Sequence, residues 1–223
     1  MKHHVSAAKG SAFIIFAQHD VPEVLEYLLP GLSLDFPFLG SLFSIGIMTS
    51  TTCNSCHITI SSELIAPCIQ LSLHPTLQSS LDNFFKSEEL SDTNAYFCHV
   101  CNAHQTPLVK KEVVSCGSHL ILQLKRFASA NGLVSKIASR ITAYPGTLSI
   151  PFTVNGEVKF RKNFQLRAFI NHCGNLNDGH YTTIAFDQMV HRWIHCNDRA
   201  VIFCNDRLFN SDESYVFFLE ELR

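Results

Sequence analysis

Apolar positions in residues 20–29, Asp-Val-Pro-Glu-Val-Leu-Glu-Tyr-Leu-Leu, fall at helical spacing, with Val21, Leu25, Leu28 and Leu29 on one face. Asp20 stands at the N-cap position, Glu23 follows three residues later and Pro22 suits the first turn. Pro30-Gly31 is expected to stop the helix. Residues 36–73 change texture to short apolar runs rich in Ile, Ser and Thr, which read as strands around the interruption Cys53-Asn-Ser-Cys56. Helical spacing returns at 76–87 through Leu77, Leu81, Phe84 and Phe85. The near-continuous apolar run at 119–127 predicts a strand buried on both faces. Further strands are expected at 164–171, 180–186, 192–197 and 215–219. Helices early and strands later predict an α+β domain on a largely antiparallel sheet. No repeat or linker divides residues 1–223, so one domain is expected.

Composition narrows the class. Of the 223 residues 46% are hydrophobic, enough for a substantial core and too many for a disordered chain. Charged residues are only 16%, and a net charge of −2 leaves no basic footprint for nucleic acid or an acidic membrane surface. The apolar stretch at 36–48 is too short and too broken by Pro, Gly and Ser to span a bilayer, and the one at 12–17 is too short for a signal peptide. Nine cysteines, an odd number, with four of them in CxxC pairs, favour thiols and metal over disulfides. The expected compartment is therefore reducing, the cytoplasm or the nucleus.

Those pairs are Cys53/Cys56 and Cys98/Cys101. Two knuckles of two thiolates each make the tetrahedral sulfur set of a closed structural zinc site, and the intervening chain is long enough to bring them together. The plain alternative is two unrelated turns of free thiols; a thioredoxin-like redox pair lacks its βαβ context. His57, His99 and His104 flank the knuckles as second-layer or exposed residues. Cys68, Cys116 and Cys204 have no partner at ligand spacing and read as small core residues.

A second cluster runs through His172-Cys-Gly174, Gly179-His180-Tyr181 and Trp193-Ile-His-Cys-Asn197-Asp198. A histidine at the start of a strand can reach a cleft, and an amide or carboxylate on a neighbouring strand can accept its ring N–H. Together they form the base and its orienting partner in a Cys–His–Asn/Asp triad. By itself the Gly-His-Tyr tripeptide is a weak signal, and its default reading is a satisfied structural histidine.

Seven blocks in one order carry a resemblance. They are Gln18-His-Asp20-Val-Pro-Glu23-Val-Leu; the two CxxC pairs; residues 80–90; Leu120-Ile-Leu-Gln-Leu-Lys125-Arg126-Phe127; His172-x-Gly174 with Gly179-His180-Tyr181; Trp193-x-x-x-Asn197-Asp198-x-x-Val201; and Tyr215-Val-Phe-Phe-Leu. The chain resembles the ubiquitin-specific protease family of deubiquitinases over residues 13–222. The resemblance implies a papain-like cysteine protease fold of fingers, palm and thumb, with residues 45–110 approximating the fingers. It implies cleavage after the C-terminal glycine of ubiquitin, so ubiquitin or ubiquitinated proteins are the implied partners. His180 becomes the implied general base, Asn197 its orienting partner and Asp198 a supporting polar residue. Asp20 and Tyr181 become binders of the ubiquitin tail, and zinc the structural staple of the fingers.

One departure matters. The family's Cys box, which supplies the nucleophile and an oxyanion-hole asparagine, stands several dozen residues before the box that begins here at Gln18. Seventeen residues precede Gln18, none of them cysteine. That box is itself altered, with Val21, Pro22 and Val24 at positions where the family has other residues. Cys173 and Cys196 lie on the strands expected to carry the base, not across a cleft from it. The sequence therefore reads as a deubiquitinase fragment with a truncated thumb and no nucleophile; the alternative is an inactive ubiquitin-binding scaffold.

Overall fold

The computed structural model describes residues 19–90, 95–142, 146–154, 157–175, 178–204 and 210–222. The apolar stretch 12–17 and Gln18 lie outside them. Three helices are present among these residues: α1 (Val21–Asp35), α2 (Phe38–Leu42) and α3 (Leu77–Phe85). The strands in chain order are β1 (Ile45–Cys53), β2 (Thr59–Ala66), β3 (Ile69–Leu71), β4 (Glu88–Glu89), β5 (Tyr96–Cys98), β6 (Ala103–Gln105), β7 (Pro107–Cys116), β8 (His119–Leu124) and β9 (Phe127–Ala130). They continue as β10 (Leu133–Lys136), β11 (Ile141–Thr142), β12 (Thr147–Val154), β13 (Glu157–Gly174), β14 (Gly179–Asp187), β15 (Arg192–Asn197), β16 (Ala200–Phe203), β17 (Asn210–Ser211) and β18 (Ser214–Glu221).

Twelve of these strands form one sheet along the path β16-β15-β14-β13-β12-β7-β1-β2, with β18, β8 and β3 branching from β13 and β4 pairing with β7. Its pairings are antiparallel except β12 with β7 and β3 with β8. The 18-residue strand β13 is the junction: its first half pairs with β12, its second half with β14, and its middle with β18. Its first residues are exposed, while Phe164, Leu166 and Phe169 further along it are buried. They pack with Ile45, Leu71, Leu122, Phe217 and Leu219 in the main core. As its apolar run predicts, β8 is buried along nearly its whole length.

Helix α3 matches the expected span. Thr76 caps it by accepting from the backbone N–H of Ser79, whose hydroxyl accepts from the N–H of Thr76, and Leu77 and Leu81 are buried. It packs against β3, β7 and β12, and lies in sequence between the segments that carry the two cysteine pairs.

Helix α1 corrects the expected stop at Pro30-Gly31, because it continues through both to Asp35. Proline removes one backbone donor, while the Ser33 hydroxyl donates to the Leu29 carbonyl at 2.7 Å. The helix ends where Pro37 excludes helical geometry from the residue before it, and Phe36 turns out to φ −131°, ψ 80°. Val21, Leu25 and Leu29 pack against a second core cluster of Ile121, Tyr215 and Val216.

Candidate functional site

Each knuckle is a tight turn closed by a left-handed residue directly after its second cysteine, His57 at φ 60° and Asn102 at φ 52°. The first follows β1, where the His57 N–H donates to the Cys53 carbonyl at 2.9 Å; the second links β5 to β6. The Ser55 hydroxyl braces the two by donating to Gln105 Oε1 at 2.5 Å. Cys53 and Cys101 Sγ stand 3.8 Å apart, Cys56 and Cys98 Sγ 3.7 Å, and all four lie within 4.8 Å of one another. Four thiolates about 2.3 Å from a central ion would have tetrahedral edges of about 3.8 Å. The cluster could therefore hold a metal ion, and its edges fit zinc. Backbone N–H groups are aimed at the sulfurs as well: those of Cys101 and Val100, with the Tyr96 hydroxyl, hold the Cys98 thiol down to about 6 against the opposing effect of burial. His57, His99 and His104 are exposed, and His99 and His104 pack edge-on against Phe97. Cys68, Cys116 and Cys204 are half-buried against the core, and burial pushes Cys68 up to about 12 and Cys116 to about 11.

The second constellation sits where β13, β14, β15 and β18 meet the start of α1. The β13–β14 connection needs glycine at two points. Gly174 lies at φ 106°, and a Cβ on Gly179 would stand 2.2 Å from His172 Nε2. That close approach seats His172 beneath the residue preceding His180. His180 Nε2 lies 2.7 Å from Asn197 Oδ1. An amide oxygen only accepts, so Nε2 carries the proton and Nδ1 keeps its lone pair. Asp198 is exposed in the two-residue turn between β15 and β16, at φ 50°.

Asp20 occupies the N-cap position, but its carboxylate makes no cap bond to the helix. Oδ1 instead accepts from the Tyr181 hydroxyl at 3.1 Å and Oδ2 from the Tyr215 hydroxyl at 2.7 Å. Gln123 Nε2 in turn donates to the Tyr215 oxygen at 2.9 Å. Burial first, then Asp20, pushes both tyrosine hydroxyls well above their ordinary value. His172, 5% exposed, packs among Phe127, Tyr181 and Tyr215; burial and then Lys136 hold its imidazole below the ordinary histidine value.

Arg126 is fully buried. Nε donates to the Ser214 carbonyl at 2.5 Å and Nη1 to those of Ile137 and Ser139 at 3.0 and 2.9 Å, tying the β9–β10 hairpin to β18 beneath the site. The sequence places Tyr215, Gln123 and Arg126 in motif strands but assigns them no role. An isolated tyrosine, glutamine or arginine carries no local sign of the distant group it will meet.

The long junction strand, the antiparallel palm and the cysteine-bearing fingers define a papain-like α+β domain. Solved structures share it: one described as the SAGA Ubp8/Sgf11/Sus1/Sgf73 DUB module bound to ubiquitin aldehyde superposes with a TM-score of 0.78 at 21% identity, covering 93% of this chain and 50% of that one. A second structure of the SAGA DUB module, with a substituted Ubp8 and a shortened Sgf11, gives 0.76 at 21% identity over 94% and 52%. The family model described as ubiquitin carboxyl-terminal hydrolase matches residues 2–219, and the chain belongs to that family. Among curated relatives it is 28% identical over 193 residues to ubiquitin carboxyl-terminal hydrolase 8 of Saccharomyces cerevisiae, covering 80% of this chain and 40% of the relative. It is 26% identical over 186 residues to probable ubiquitin carboxyl-terminal hydrolase 8 of Schizosaccharomyces pombe, covering 81% and 38%. The chain is also 28% identical over 148 residues to ubiquitin carboxyl-terminal hydrolase 10 of Arabidopsis thaliana, covering 66% and 16%. It thus spans two fifths or less of the length of these curated relatives.

Proposed function

We propose that this chain is the palm and fingers of a cysteine-type deubiquitinase, and that it carries the base half of the catalytic apparatus without the nucleophile. The observation behind this reading is the 2.7 Å contact between His180 and Asn197, with the Tyr181 hydroxyl, one residue further along β14, bonded to Asp20. The fingers, stapled by zinc on Cys53, Cys56, Cys98 and Cys101, grip the body of ubiquitin, and its C-terminal tail runs past Asp20 and Tyr181 toward His180.

His180 Nδ1 takes the proton of an attacking thiol and returns it to the departing amine, while Asn197 holds Nε2–H and with it the tautomer. Asp198 supports this pair as a polar neighbour. None of the nine cysteines suits the attack. Four belong to the knuckles and three are half-buried against the core. Cys173 lies directly across from His180 on β13, but Glu213 beside it pushes its thiol up, away from the reactive thiolate. Cys196 neighbours Asn197 on β15 and points to the opposite face. The thiol therefore comes from a segment outside these 223 residues, and the cytoplasm and nucleus are the compartments proposed for the reaction.

The second reading, an inactive ubiquitin-binding scaffold, draws on Val21, Pro22 and Val24 in the altered box before the palm. A fluorogenic ubiquitin C-terminal reporter separates the two. The chain alone should give no turnover, and a Cys-box segment added in trans should restore hydrolysis that His180→Ala abolishes. Ubiquitin binding with no restored turnover would favour the scaffold, and thiol-dependent cleavage by the chain alone would overturn the missing nucleophile.

A further inference from the structure

The Asp20 carboxylate is exposed, yet two tyrosine hydroxyls from two strands donate to it, and Gln123 on a third strand donates to one of them, Tyr215. Tyr215, 2% exposed, and Gln123 are buried, so their polar groups are expensive to desolvate unless paired. Helix capping does not explain the arrangement, because the carboxylate makes no bond to the α1 amides. One hydroxyl reaches each oxygen, which leaves a lone pair on each for an incoming donor. The Tyr215 ring is held in turn by Phe127 at 6.1 Å and His172 at 6.1 Å between ring centres.

We infer that Tyr215 is a positioning residue for recognition of the ubiquitin tail: supported from below by Gln123, its hydroxyl fixes the Asp20 carboxylate so that the unused lone pairs meet backbone N–H groups of the extended peptide. The inference rests on the functional reading of Asp20 given above. A carboxylate fixed in advance loses less side-chain freedom on binding than one free to rotate, and the gain is confined to contacts that Asp20 makes. The ring of Tyr215 serves the core, whereas its hydroxyl serves the ligand.

Tyr215→Phe separates these roles, since it removes one oxygen and keeps the ring. Binding to the full chain is measured by calorimetry with two probes, intact ubiquitin and ubiquitin lacking its last six residues. Y215F should weaken intact ubiquitin about fivefold, leave the shortened form unchanged, and have no further effect in an Asp20→Ala background. An equal loss with both probes, or a loss that adds fully to that of Asp20→Ala, would overturn the assignment in favour of a structural role. Tail-dependent binding undiminished by Y215F would overturn the assignment alone, whereas no binding of either probe by the unaltered chain would overturn the functional reading with it. Should Y215F unfold below the assay temperature, Gln123→Met probes the same relay from its buried end, with a tail-dependent loss expected and a tail-independent one contrary.

Discussion

His180 and Asn197 meet at 2.7 Å across adjacent strands, with the ring nitrogen donating and the amide oxygen accepting. Asn197→Ala should release the imidazole to a mixture of tautomers, visible as a change in the ¹⁵N shifts of both His180 nitrogens. In the chain complemented with a Cys-box segment, kcat should fall on the order of a hundredfold with KM little changed. An unaltered tautomer in the variant would show that some other group orients the ring.

The four knuckle thiols should bind about one zinc per chain, as a closed four-thiolate site requires. Cys98→Ser with Cys101→Ser, or exhaustive chelation, should remove the metal and speed amide exchange in residues 53–58 and 96–105, while β8 and β13 stay protected. A full zinc complement in the double variant would exclude this ligand set.

Arg126 satisfies backbone carbonyls of Ser214, Ile137 and Ser139 from a fully buried position. Arg126→Met fills a similar volume but leaves those acceptors without a donor. We expect it to destabilise the chain by about 3 kcal/mol or more in urea unfolding. Arg126→Lys should recover only part of this, because one ammonium cannot reproduce the guanidinium fork. A loss under about 1 kcal/mol for Arg126→Met would show that water reaches these carbonyls.

His172 titrates below the ordinary histidine value, through burial first and Lys136 second, with Asp20 and Glu213 opposing. On acidification the unfolded chain takes up a proton before the folded one does. The contribution of His172 is therefore complete above about pH 6.5 and is lost as pH falls through the folded value. Urea unfolding across this range should show stability declining toward acid, and His172→Phe should flatten that decline. An unchanged slope in the variant would assign the titration to another group.

Much of the site is legible in local sequence, for a reason particular to each part. The knuckles depend on ligand spacing within four residues, so Cys53, Cys56, Cys98 and Cys101 can be named before any fold is known. Helix α3 carries its own cap and apolar spacing, and β8 declares its burial by an apolar run. Strand β7 escapes the pattern because Lys110, Lys111 and Glu112 interrupt its alternation; the sheet accommodates them by pairing Lys110 with Glu112 at 2.8 Å and laying Lys111 over Phe84.

Residue type and spacing were thus enough to determine the two cysteine knuckles, the helix that begins near Thr76 and the buried strand β8, whereas His180 and Asn197 were singled out by the family resemblance. Only the tertiary structure decided that Asp20 would face Tyr215, 195 residues away, instead of its own helix, and that Arg126 would be a fully buried charge in the palm. It also made β13 an 18-residue junction between two branches of the sheet. Caps, spacings and apolar runs are energies of neighbours along the chain. The partners of a carboxylate or a guanidinium are whichever groups the sheet brings within about 3 Å, and that choice belongs to the whole fold.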